Sequence, residues 1–240
     1  MLLIFVDETG DSKFKDYFGL SVTTINHNHY KKIKNGFQEI LRNSDWNETI
    51  EFKGSYIFSV SSGDKTVPID KRIDIAHSIL DLNTANRNAR MSCHYVRKEK
   101  TDNHKQQYLD TLPLILDKAL PKLIKKGGGK DIAAVYCDYR SDITSFEVQN
   151  AIMPILQKKQ YTLLEKVTMP HSNFHTVGIL YADIIGYLSA RIDTISNDSE
   201  LFESIPADEL KNNGKVKKLI SSVDLIKKIK KLERYEVKTK

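Results

Sequence analysis

Long apolar runs are missing from this chain of 240 residues. None approaches the roughly 20 residues that a membrane-spanning helix needs, so no membrane span is expected. A secretory leader is also missing. No basic segment precedes the apolar stretch Leu2–Val6, and Asp7 and Glu8 end it at once. A cytoplasmic protein is the expectation. Cysteine is scarce: Cys93 and Cys137 are the two, and no C-x-x-C pair exists. Each falls in an apolar, strand-like run, which favours buried thiols over a disulfide or a zinc site. The one glycine cluster, Gly127–Gly129, lacks both the Lys-Ser/Thr of a phosphate loop and the spaced glycines of a dinucleotide fingerprint, so it reads as a turn. Internal repeats are absent, and low complexity is confined to a basic C-terminal stretch.

That stretch carries the charge asymmetry. Residues 211–240 hold ten Lys and one Arg against Asp224, Glu233 and Glu236, a net +8, whereas the whole chain is +6. A basic tail of this kind is either a solvated helix face or a handle for a polyanion. The hydrophobic content of 40% and charged content of 28% are ordinary for a globular protein, and the length suits one substantial core.

Periodicity gives the elements. Leu2–Val6 is a short continuous apolar run stopped by acids and a Thr-Gly pair, which is the pattern of a buried strand. Tyr17–Ile25 reads as a second strand, hairpinned to the first. Apolar residues at Tyr30, Ile33, Phe37, Ile40 and Leu41 mark a helix over 29–41. A helix is expected from Pro68 to Leu82 and a strand over 89–96. A longer helix over 105–125 is expected to be kinked or split at Pro113 and Pro121. The rest reads as a strand over 131–138, helix 145–158, strand 161–169 and helix 174–192. Residues 46–65 show no clear period. Strands and helices alternate after an opening hairpin, so the fold class is α/β, a mixed β-sheet flanked by α-helices. One domain over 1–195 is expected, followed by a polar connection and a basic helix over 196–240.

Three acids stand out. Asp7 and Asp138 both close apolar strands. Asp183 lies in Thr176–Tyr187, a helix with apolar neighbours at Ile179, Leu180, Ala182, Ile184 and Ile185. A carboxylate buried there is costly unless it pairs, for example with Arg191, or binds a metal. Carboxylates gathered from separate elements form the oxygen-rich site that hard ions such as Mg²⁺ or Mn²⁺ prefer. Two such ions can activate water and stabilise the leaving oxygen in phosphodiester cleavage. His171 and His175 precede the Asp183 helix, and one of them, His175 as the candidate, is expected to face the acids as a proton donor or substrate contact.

Phe5–Asp11 (Phe-Val-Asp-Glu-Thr-Gly-Asp), Tyr136-Cys-Asp138 and Tyr181–Tyr187 (Tyr-Ala-Asp-Ile-Ile-Gly-Tyr) together resemble domain-of-unknown-function family 3800, whose members are similar to ribonuclease H in fold. The three segments occur in the family's order and span most of the chain. The resemblance implies a ribonuclease-H-like sheet and a catalytic, metal-binding set of Asp7, Asp138 and Asp183, with Glu8 as an additional acid. Glu51, in Glu-Phe-Lys-Gly-Ser, matches an acidic position of the family, and Lys53 beside it is expected to contact a phosphate. Thr9 replaces the family's usual Ser, and Leu180 stands where Gln is common.

A divalent-metal-dependent nuclease is therefore expected, with Mg²⁺ or Mn²⁺ as cofactor and nucleic acid, DNA or RNA, as partner. Two alternatives remain open. One is a non-catalytic nucleic-acid- or partner-binding module on the same fold. The other is a haloacid-dehalogenase-like phosphatase, because Asp7-Glu-Thr-Gly is similar to that family's nucleophile motif and Asp138–Asp142 has the spacing of its later metal motif.

Overall fold

The computed structural model describes residues 1–9, 17–85, 91–121, 131–171, 176–196, 214–228 and 232–236. Asp11, the Gly127–Gly129 turn, His175 and most of the polar connection after Ser196 lie outside them. The chain opens with the hairpin β1 (Leu2–Thr9) and β2 (Tyr17–Asn26), then α1 (His27–Asn43) and α2 (Ile69–Ala85). Next come β3 (Met91–Glu99), α3 (His104–Ala119), β4 (Asp131–Cys137), α4 (Ser145–Lys158), β5 (Tyr161–Leu163) and α5 (Val177–Ser196). It ends with α6 (Gly214–Lys227) and β6 (Leu232–Glu236). No described helix is long and apolar enough to cross a membrane.

The six strands form one sheet in the order β5-β4-β1-β2-β3-β6. β1, β2 and β3 are an antiparallel meander, and β4, β5 and β6 add in parallel at its two sides. Alternation along β1 decides what lies on each face. Ile4 and Val6 join a core with α3 and α4, through residues such as Leu112, Ile115, Val148 and Ile152. Leu3 and Phe5 point the other way, into a core with α1, α2 and α5. This is the α/β class read from the sequence, a mixed sheet flanked by helices. Cys93 and Cys137 are free and buried within strands, and burial pushes both thiols up to about 12.

Local chemistry explains most boundaries. The Asn26 side chain caps α1, and Thr144 with Glu147 forms a reciprocal capping box on α4. α3 runs through Pro113 without a split and stops before Pro121, so the helix ends earlier than expected. Leu120 is extended because a residue ahead of proline is pushed out of helical backbone. The strand expected over 161–169 shrinks to three residues plus one isolated bridge from Thr168 to Tyr136. β6, which the sequence reading did not anticipate, pairs with β3. Leu225 of α6 is fully buried in the same core as α5.

α5 sits directly on the sheet because three small residues, Gly178, Ala182 and Gly186, recur every fourth position and line one side of the helix. A Cβ on Gly178 would fall 2.3 Å from the Phe5 ring, and one on Gly186 would fall 2.2 Å from Thr9 Oγ1. Between them, Ser21 Oγ donates to the Ala182 carbonyl at 2.7 Å. Phe5 cannot give way, since its ring stacks on Tyr30 and Tyr136 at 5.5 and 5.2 Å. Gly178→Ala should therefore cost about 1–3 kcal/mol, the range for overpacking a core, read from urea midpoints. An unchanged midpoint would show that the helix is not held this closely.

Candidate active site

β1 and β4 run in parallel up to the pair Val6 and Cys137, and the Asp138 N–H donates to the Val6 carbonyl at 3.0 Å. The next residues, Asp7 and Asp138, therefore stand side by side across the seam. Asp7 is 6% exposed and faces α5, on the same side as Leu3 and Phe5. Asp183 follows Ala182, the residue that touches β2, so close packing of α5 delivers it to Asp7. The two carboxyl groups share a hydrogen bond.

The segment without clear period supplies the rest. Glu51 is buried, and Lys53 pairs with its Oε2 at 3.2 Å. A short 3-10 turn, Gly54–Tyr56, follows. The Gly54 N–H donates to Asp183 Oδ2 at 2.5 Å. Glycine is required there, because a Cβ would lie 2.6 Å from Tyr187 Cβ on α5. Arg72 of α2 clamps this loop. Its guanidinium donates to the carbonyls of Tyr56, Ser59, Ser62, Asp64 and Val67 at 2.6–3.0 Å.

Asp7, Asp138, Asp183, Glu51 and Lys53 thus line one cleft of about 30 Å³, with His171, Pro170, Thr176, Ile179 and Leu180 as walls. Burial, then the charges of Asp183 and Asp138, holds the Asp7 carboxyl well above the usual range. Asp183 is raised by burial, partly offset by the Gly54 N–H and Lys53. Asp138 is raised by burial and eased by the Tyr139 N–H, Lys53 and His171. Burial would depress Lys53, but Glu51 and then Asp183 lift it above its ordinary value, so it stays charged. Asp138 Oδ1 and Glu51 Oε1 are buried with no hydrogen-bond partner. The donors are all oxygens, two of them unsatisfied, a set whose chemistry fits a hard divalent cation. Among the described residues, however, no three His, Cys, Asp or Glu side chains stand as a finished metal cage.

One expected residue is not in this cleft, and another lies outside the described residues. Glu8 points to the opposite sheet face, as strand alternation requires, and pairs with Arg140. Of the two histidines, His171 lines the cleft and stacks on Tyr139, ring centroids 3.9 Å apart, whereas the named His175 lies outside the described residues. Asp142 binds Arg140 through Oδ1 and Oδ2, so the second acid of the phosphatase-like spacing is turned away. Arg191 does not pair with Asp183. It donates to the Tyr187 hydroxyl and lies 4.8 Å from the Phe58 ring. The sequence reading missed Gly54 and Arg72, although the Lys-Gly of the 51–55 motif pointed towards the first.

The raised carboxyls have a consequence for stability. A carboxyl whose folded pKa exceeds its unfolded value favours folding most when protonated, and that contribution is lost as pH rises through the folded pKa. Asp7→Asn removes the liability. In chelator at neutral pH the variant should be more stable than the parent by at least about 1 kcal/mol, with the gap closing towards pH ~4. Urea midpoints at both pH values check this, and a parent more stable than the variant at neutral pH would contradict it.

No family model matches the chain, and no curated protein matches it. Among solved structures it is similar to a chain from a PCNA–RNase HII complex of Archaeoglobus fulgidus. That likeness is 11% identical with a TM-score of 0.43, covering 100% of this chain and 98% of the other.

Proposed function

We propose that this protein is a divalent-metal-dependent nuclease of the kind found in family 3800, cleaving phosphodiester bonds at the Asp7–Asp138–Asp183 cleft. One observation carries the reading. Four carboxylates from four separate elements converge on one small cleft, and two of their oxygens are buried there without partners. The three segments that resemble the family are the ones that bring Asp7, Asp138 and Asp183. Such a concentration of negative charge is unfavourable on its own account, and a cation relieves it.

Asp7, Asp138 and Asp183 would hold Mg²⁺ or Mn²⁺, with Glu51 completing the shell. The bound metal supplies an activated water and a counter-charge for the leaving oxygen. The chain's own groups do the rest. Lys53, fixed by Glu51 and partly exposed, presents an ammonium to the non-bridging oxygens of a phosphate at the mouth. The Gly54 N–H orients one Asp183 oxygen and leaves the other for the cleft. His171 borders the same space and acts electrostatically on Asp138. Lysines of the C-terminal stretch would add salt-dependent affinity for a nucleic-acid backbone.

A second reading, a binding module on the same fold without cleavage, is favoured by the lack of a finished cage among the described residues. Labelled single-stranded, double-stranded and hybrid substrates incubated with Mg²⁺ or Mn²⁺ separate the two. Cleavage is expected, falling roughly 10³-fold in Asp7→Ala and in Asp183→Ala, the scale of losing a principal electrostatic stabiliser. Binding without cutting under either metal would favour the binding module, and a stable aspartyl-phosphate at Asp7 would favour the phosphatase.

A further inference from the structure

Asp7 and Asp138 border a second cavity of about 220 Å³, whose other walls are Val6, Glu8, Tyr108 and Arg140. Glu8 and Arg140 therefore lie behind the two carboxylates, on the sheet face away from Asp183. We propose that the Glu8–Arg140 ion pair is a staple that holds Asp7 and Asp138 against each other, making both of its members positioning residues.

The backbone pairing of β1 with β4 ends at Val6 and Cys137, with the Asp138 N–H to the Val6 carbonyl as its last bond. Beyond that point the two strands carry like charges side by side, with nothing in the ladder to oppose their separation. Glu8 is the next residue along β1, and Arg140 lies two residues past Asp138. Their ion pair crosses the seam immediately outside the repelling pair.

Arg140 is itself anchored. Its Nε and Nη2 donate to Asp142 at 3.0 and 2.8 Å, and its guanidinium carbon lies 5.2 Å from the Tyr108 ring centroid. Tyr108, on the buried side of α3, is 2% exposed and fixed in the core. The planar fork is thus oriented before Glu8 meets it, so little side-chain freedom is lost in forming the pair. With its side chain 17% exposed, Arg140 holds Glu8 in a pair that water screens only in part. This gives the second acid of Asp7-Glu8 a role that its direction on the strand permits, where metal ligation inside the cleft does not.

The proposal rests on the nuclease reading only in calling Asp7 and Asp138 metal ligands, and the test has one readout independent of metal. Arg140→Gln and Glu8→Gln are made in the parent and in an Asp7→Asn background. Urea midpoints are measured in chelator, and Mn²⁺ affinity is measured by calorimetry. Each variant should lower the midpoint in the parent and lower it by less than half as much in the Asp7→Asn background, where the repulsion is gone. Each should also weaken Mn²⁺ binding roughly tenfold, the scale for an outer-shell partner.

Equal losses in both backgrounds would overturn the staple, leaving an ordinary ion pair. Mn²⁺ affinity unchanged in both variants, with parent binding intact, would overturn it too. Tighter binding in Arg140→Gln beside weaker binding in Glu8→Gln would make Glu8 a released ligand and would also overturn it. If the parent binds no Mn²⁺ but the stability losses depend on Asp7, the staple stands and the nuclease reading falls. Glu8→Gln runs the same test from the other end should Arg140→Gln fail to fold.

Discussion

Like charge held at close range under a low dielectric is the constraint on which the centre of this structure depends. Burial raises the proton affinity of Asp7, Asp138 and Asp183, and the charges of Asp183 and Asp138 raise that of Asp7 further. Left to itself such a group would separate or take up protons. Three rigid supports prevent the first. The β1–β4 seam fixes Asp7 beside Asp138, the small-residue line of α5 presses Asp183 onto β1, and the Gly54 turn ties Asp183 from above. Each support has backbone on one side at least: a strand ladder, a helix backbone against Phe5 and Thr9, and the Gly54 N–H. The cost appears as a carboxyl that prefers to be protonated, and a bound cation would remove it.

The loop that carries Glu51 and Lys53 has no regular ladder to hold it. Arg72 takes that part. A buried guanidinium without a close carboxylate is expensive, and burial lowers its proton affinity. Five carbonyls offset the cost by accepting its N–H groups, and the same bonds satisfy backbone oxygens that a loop would otherwise leave open. Asp64 tightens the turn by accepting from Asn47 N and from both donors of Thr66. The result is an irregular segment as well ordered in its bonding as a helix, placed where Gly54 can approach α5.

Much of this was legible because it depends on period and punctuation. Apolar runs ending in acids located Asp7 and Asp138, and an acid among apolar neighbours located Asp183. What was not legible depends on distance along the chain. Arg72 looks like any helix-surface arginine until the loop folds over it. Gly178 and Gly186 look like weak points in a helix rather than its contact line with Phe5 and Thr9. Glu8 was grouped with Asp7 because they are adjacent in sequence, yet on a strand adjacency means opposite faces. β6 was hidden by its charges, Glu233, Arg234 and Glu236, since an edge strand with charged residues has no apolar alternation to reveal it.

The size of the cleft bears on how a polymer could be handled. About 30 Å³ is room for a few water-sized groups or ions, and a nucleotide is much larger. On the proposed nuclease reading, a nucleic-acid strand would lie across the mouth, presenting one phosphate inward while its bases stay outside. Recognition at the cleft itself would then read the backbone, through Lys53 and the carboxylate-bound cation, and not the sequence. Any preference for one kind of strand has to come from surfaces around the mouth. Two described segments border it in the chain, Pro170–His171 and Thr176 just ahead of α5. Selectivity, on this geometry, is a property of the rim, whereas the chemistry belongs to the seam.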